Sequence, residues 1–281
     1  LLMADIDTRY NRTLDLKDLI LLGLSMTIGS GIFVLTDDIA QNSKQLVWLS
    51  VFFAGIMSLL TAFSYAELAS IFKNNEGEYG YVKSVSNKKV ANIMGYAILI
   101  SDIFILSTIS IGMGHYVSKL IGCSPHIIAI IVLISLNIIN YLGITMTKNV
   151  SNVAMYLKLL IIAGIILVSF TNNKPAEDLL STENVGLTGF STASIIALFM
   201  YLGFNNITNF AEESHKPATD IPKALVYTVA IVTIIYTLFT VASLFVVSSS
   251  ELSQTTTPIA TITGKLFGSG GFYLLVILTI I

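Results

Sequence analysis

Charge is what this sequence has least of. Only 11% of its 281 residues are Asp, Glu, Lys or Arg, against about 25% in an ordinary soluble domain. Hydrophobic residues make up 54%, and the mean hydropathy is +0.80. A soluble fold of this length cannot hide that much apolar surface, and disordered chains are far more polar. The composition is that of a helical integral membrane protein. The net charge of −2 offers no basic face to phosphates, which excludes nucleic acid as a partner. The single cysteine, Cys123, permits neither an intrachain disulfide nor a cysteine zinc site. No metal cluster and no nucleophile–base constellation stands out, so an enzyme reading has little to rest on, and no cofactor is implied. The apolar runs are continuous and not alternating, which excludes β-barrel strands.

Charge-free runs locate the helices, since a helix crosses a bilayer with about 20 apolar residues. Leu19–Thr36, Leu46–Ala66, Cys123–Thr147, Gly186–Ala211 and Ala224–Ser250 carry no charge. Val90–Ser118 is broken only by Asp102, and Asn149–Asn173 only by Lys158. These are seven full spans with no soluble domain between them, which makes residues 1–281 one membrane domain. An eighth starts near Phe272 and reaches the last residue after about 15 Å of helix, half a hydrocarbon core. The sequence also opens on Leu1, so the expectation is a fragment of a longer chain that stops inside its eighth helix.

Basic residues set the orientation. With the N-terminus in the cytoplasm, Arg9, Arg12, Lys17, Lys73, Lys83, Lys88, Lys89, Lys148, Lys216 and Lys223 fall inside. Only Lys44, Lys119, Lys174 and Lys265 fall outside, and Lys158 lies within the membrane. This asymmetry predicts a cytoplasmic N-terminus. A plasma-membrane location is the expectation, although no sorting motif is evident.

Two spans are interrupted by glycine. The first holds Ile28-Gly29-Ser30-Gly31-Ile32-Phe33, the sixth Phe199-Met200-Tyr201-Leu202-Gly203-Phe204-Asn205-Asn206. Glycine in mid-span weakens the helix and lets backbone approach a ligand. The polar residues after Gly203 are costly in lipid unless they face protein or water. Freed amides attract an anion and freed carbonyls a cation, so two breaks five spans apart could together hold a zwitterion. The alternative is helix packing, where small residues are common.

With these motifs in hand, the chain resembles the amino acid permeases of the amino acid–polyamine–organocation superfamily. Besides the two interrupted spans, the resemblance rests on Tyr65-Ala66-Glu67-Leu68-Ala69, on Gly77-Glu78-Tyr79-Gly80-Tyr81, and on Ala211-Glu212-Glu213 with Lys216-Pro217 and Ile221-Pro222. It covers Leu14 to the C-terminus. The resemblance implies the five-plus-five inverted-repeat fold named after the bacterial leucine transporter. The first repeat would run over about 16–173 and a partial second over about 190–281. It also implies that amides around Ile28, Gly29, Ser30 and Gly31 receive a substrate carboxylate. Carbonyls of Phe199, Met200 and Leu202 would receive the ammonium, with Tyr201 or Phe204 covering the site beside Gly203. Side chains around Ile105–Ile109 of span three would border the pocket. Lys73, Asn205 and His215 depart from the commoner family residues at their positions.

Lys158 lies about nine residues, or roughly 13 Å of helix, from Asn149. A charge at that depth is functional by default, with snorkelling as the alternative. Proton-coupled relatives carry a lysine here, which implies a proton as coupling ion. Asp102 could line the path, recognise a cationic substrate or pack as a neutral acid. Asn205 is a second polar candidate. Glu67, Glu212 and Glu213 are candidates for cytoplasmic gating, or else plain helix-end charges and ion pairs. Function is then expected to be secondary active amino acid transport by symport or exchange. The competing class is a transport-inactive relative serving as a nutrient sensor or partner-bound subunit. Oligomeric state and any accessory subunit stay open.

Overall fold

A computed structural model describes residues 12–29, 31–72, 77–141, 144–171, 179, 185–255, 258–268 and 270–271. The described residues are helical, with one isolated parallel bridge between Leu14 and Ser214. The first span is broken into α1 (Leu16–Thr27), α2 (Gly31–Val34) and α3 (Thr36–Ser43). Then follow α4 (Val47–Ile71), the short α5 (Gly77–Val85), α6 (Lys88–Ile121), α7 (Pro125–Tyr141) and α8 (Ile144–Ser169). The sixth span is α9 (Leu187–Leu198), a 3-10 turn (Phe199–Tyr201) and a 3-10 segment (Phe204–Glu213). Next come α10 (Pro217–Leu244), α11 (Ser249–Ser253) and α12 (Pro258–Phe267). The eighth span expected from Phe272 lies outside the described residues, as does Ser30.

Among the described residues, five stretches are long and apolar enough to cross a membrane: Thr36–Ile71, Lys88–His115, Asn152–Ser169, Leu187–Glu213 and Pro217–Leu244. Pro125–Ile138 is apolar but shorter. The first span is missing from that set because its helix stops at Thr27. Helices also run past the charges that bound the apolar runs. α4 continues through Glu67, α10 begins before Lys223, and Lys148 lies inside α8 rather than in a loop. The reason is physical: a charge marks the edge of the hydrocarbon, not the end of the helix, whose own hydrogen bonds continue into the interface.

Local chemistry sets the other ends. Asp15 caps α1, accepting from the Asp18 N–H at 2.8 Å, and Asp18 returns the bond as a capping box. Asn87 caps α6 by accepting from Val90 N–H, and Gly122 ends it in the left-handed region (φ +72°). Within the spans, many hydroxyls bond one turn back, as Thr233 does to Val229 O, which removes the cost of a polar side chain in an apolar setting.

The core lies where α1, α4, α8, α9 and α10 meet, filled by Met155, Ile162, Tyr201, Ile207, Tyr236 and Phe239. Small residues let the backbones close. A Cβ on Gly55 of α4 would meet Thr233 of α10 and Tyr201 Oη. α6 and α7 flank this core, and α6 leaves Ile93, Leu99, Ile103 and Phe104 exposed, a face that suits hydrocarbon.

Candidate functional site

The break in the first span is defined by where its carbonyls go. Ile28 turns out of the helix (φ −78°, ψ 71°), its N–H still bonded to Leu24 O at 2.8 Å. Gly29 N–H then folds back to Thr27 O, also at 2.8 Å. Two side chains from other helices complete the site. Tyr236 Oη of α10 donates to Thr27 O at 3.0 Å, and Lys158 Nζ of α8 donates to Ile28 O at 2.8 Å. Lys158 is 6% exposed. Its ammonium therefore sits at the negative C-terminal end of α1, where a cation is stabilised by the helix dipole as well as by the carbonyl. Snorkelling, the alternative reading, does not describe this geometry.

The second break is sharper. α9 tightens into its 3-10 turn, Leu202 is extended (φ −60°, ψ 146°), and Gly203 takes φ +113°. That value is open to glycine and strained for any L side chain. Gly203 N–H donates to Asn205 Oδ1 at 3.3 Å, and Asn206 N–H to Gly203 O at 3.1 Å. Met200 and Tyr201 are buried, whereas Phe199 and Leu202 are exposed.

The two breaks touch each other. A Cβ on Gly31 would lie 2.9 Å from Met200 Cα, and one on Gly203 would collide with Met26 O of α1. Each interrupted helix thus presents a glycine to the other's backbone. Beside Gly29, by contrast, a Cβ would meet nothing within 4 Å. Tyr201 is held behind the crossing by its hydroxyl, which donates to Val51 O at 2.9 Å, and by an edge contact with Tyr236 at 5.5 Å. Phe204 instead packs edge-on against Tyr65.

Beside the second break lies a cavity of about 400 Å³. Its walls include Leu202, Asn205 and Asn209 of the sixth span, Asp102 and Ile105 of α6, and Glu78 of α5. Glu78 accepts hydrogen bonds from both Tyr65 Oη and Asn205 Nδ2. Asp102 and Asn205 therefore face one space, while Ile109 is not part of its wall. Glu67 is exposed at the end of α4, its carbonyl accepting from Ser70. Glu213 acts through its backbone: its carbonyl accepts Thr13 and Leu14 N–H at 3.0 Å each, while His215 N–H donates to Leu14 O. The N-terminal strand is thereby tied to the end of span six, with Glu212 half-buried alongside. Among the described residues no cluster of His, Cys, Asp or Glu could hold a metal.

Sequence reasoning missed Tyr236 and gave Glu78 no role. Tyr236 had a signal: a hydroxyl in the middle of an otherwise apolar span needs a partner. Glu78 stood inside a quoted motif, but nothing in the sequence tells that it meets Asn205, more than a hundred positions away.

Broken helices that touch within a set of apolar spans define a multi-pass membrane protein. The chain belongs to the amino acid permease family of the amino acid–polyamine–organocation superfamily, whose match covers residues 14–281. It is 28% identical over 246 residues to the branched-chain amino acid permease BcaP of Bacillus subtilis, covering 80% of this chain and 53% of that protein. It is 26% identical to the vacuolar cationic amino acid transporter 8 of Arabidopsis thaliana, covering 86% of this chain and 44% of that one. The human b(0,+)-type amino acid transporter 1 is 24% identical over 81% of this chain and 50% of its own length. The chain thus spans about half the length of the curated relatives it matches.

Proposed function

We propose that the chain forms the substrate-binding part of a secondary active amino acid transporter working by alternating access within a five-plus-five inverted repeat. The observation that carries this reading is the glycine-to-backbone contact of the two breaks, Gly31 on Met200 and Gly203 on Met26. Two helix breaks held against each other suit a molecule with a carboxylate and an ammonium on one carbon, because amides released at one break attract an anion and carbonyls released at the other a cation. Under this reading the amides of Ser30 and Gly31 receive the carboxylate, while Ile28 and Gly29, whose own N–H groups bond back into α1, form the turn that presents them. Phe199, Met200 and Leu202 receive the ammonium, and Tyr201 and Phe204 wall the site. Lys158, bonded to Ile28 O, is the proton-coupling group. The N-terminus faces the cytoplasm, the membrane is the plasma membrane, and the cavity beside Asp102 and Asn205 is the cytoplasmic vestibule. Glu67, Glu212 and Glu213 lie at its gate.

The test is ligand-induced thermal stabilisation of the full-length protein, followed by uptake into proteoliposomes. Stabilisation is expected for free α-amino acids and is lost when either the carboxylate is esterified or the ammonium acetylated. Equal stabilisation by the capped and free forms would defeat the proposed site.

A further inference from the structure

Glu78 gathers three separately placed elements onto one oxygen. It opens α5, and its Oε1 accepts from Tyr65 Oη of α4 and from Asn205 Nδ2 of the sixth span, the latter at 2.6 Å. Asn205 also accepts the Gly203 N–H through its other amide atom. The carboxyl is therefore two hydrogen bonds from the left-handed glycine of the break. The start of α5 is docked on the same segment, because a Cβ on Gly77 (φ +51°) would run into Asn209 Oδ1. Glu78, Asn205 and Asn209 together wall the cavity, facing Asp102 across it.

The geometry points to Glu78 as a positioning residue that pins the half of span six after Gly203 (Phe204–Glu213) to α4 and α5, and so sets how far the cavity opens. The inference rests on the transporter reading, in which that half-helix moves. A carboxylate is suited to the task because an ionised acid only accepts, and bonds to it are about twice as strong as neutral ones. Asn205 and Tyr65 can both donate to it without competing for a proton. A glutamine keeps an acceptor oxygen at the same place, though a weaker one. An alanine keeps none.

The test uses the full-length protein with Cys123→Ser and a reporter, Thr208→Cys, at a position on the cavity wall that is 1% exposed. The rate of N-ethylmaleimide labelling without any substrate reads how often the half-helix releases. Glu78→Ala is expected to raise that rate about tenfold, the factor corresponding to one hydrogen bond to a charged group. Glu78→Gln is expected to raise it less, and Tyr65→Phe to fall between wild type and Glu78→Ala. The double variant Glu78→Ala, Tyr65→Phe should match Glu78→Ala within about twofold, since partners in one network are not additive. An unchanged rate in Glu78→Ala, or multiplied effects in the double variant, would overturn the pin. If Glu78→Ala does not accumulate, flat rates in both Glu78→Gln and Tyr65→Phe do the same. Because labelling is read without substrate, its outcome is separate from whether amino acids bind.

Discussion

The proposed coupling role of Lys158 yields the most discriminating prediction, because structure separates the lysine's hydrogen bond from its proton. The bond to Ile28 O, a charged donor on a carbonyl, contributes about 1.5–3 kcal/mol. The end of the α1 dipole adds up to about 2 kcal/mol. Against this stands the cost of keeping an ammonium, 6% exposed, away from water, which is several kcal/mol. These contributions nearly cancel, so Lys158→Ala should change stability by only about 1–2 kcal/mol, the scale of one unsatisfied carbonyl. The functional effect is expected to be far larger. Lys158→Ala can carry no proton, and neither can Lys158→Arg, since a guanidinium stays protonated in proteins. Arginine can still donate to Ile28 O. In proteoliposomes holding the full-length protein, both variants should lose the stimulation of uptake by an inward pH gradient. Lys158→Arg should keep more substrate exchange at equal pH than Lys158→Ala. Gradient-driven uptake undiminished in either variant would refute the coupling role. Loss of exchange in Lys158→Arg equal to that in Lys158→Ala would refute the hydrogen-bond half of the reasoning.

Three further outcomes follow from the same geometry. Gly203→Ala meets both a positive φ and Met26 O, and should cost at least about 1–3 kcal/mol, read as a lowered Tm and lost ligand stabilisation. Gly31→Ala, with a Cβ at 2.9 Å from Met200 Cα, must push the two breaks apart and should lower Tm as well as weaken ligand binding, measured by thermal shift across ligand concentrations. Tyr236→Phe removes one of two donors to Thr27 O, the Gly29 N–H remaining, and should cost about 0.5–1.5 kcal/mol, whereas Asp15→Ala, which removes the α1 cap, should cost about 0.5–2 kcal/mol, both read as a shift in Tm.

The spans were legible because hydrocarbon demands long charge-free runs, and the described helices fall on them. Their ends were less so. Lys148 and Lys223 bound charge-free runs, yet both lie within helices, since polar residues at the interface do not stop backbone pairing. The breaks were legible as positions, through Gly29, Gly31 and Gly203. That they touch was not, because a glycine shows only what the backbone can do, not what approaches it. The same limit applies to partners. Lys158 stood out as a lone charge, but Tyr236 is one of twelve tyrosines. Only the packing of α10 on α1 brings its hydroxyl to Thr27 O. Glu78 was hidden in the same way, its partner Asn205 lying in a different span.

The two sides of the first break are treated unequally, and this asymmetry bears on what the site can hold. Interrupting a helix in an apolar setting frees carbonyls on one side and amides on the other, each costing several kcal/mol if left bare. The carbonyl side is filled by the chain itself, with Tyr236 on Thr27 O and Lys158 on Ile28 O. A second cation is not needed there, and the charge of Lys158 would repel one. On the other side, a side chain placed at Gly29 would meet nothing within 4 Å. Under the proposed reading an anion suits that space, because Gly29 adjoins Ile28, whose carbonyl holds the buried ammonium, and opposite charges attract strongly away from water. A carboxylate bound there and the proton on Lys158 would then each depend on the other's charge. In the proposed transporter this is the physical link between substrate and coupling ion, and it requires that removing Lys158's charge weaken carboxylate binding even where no pH gradient is applied.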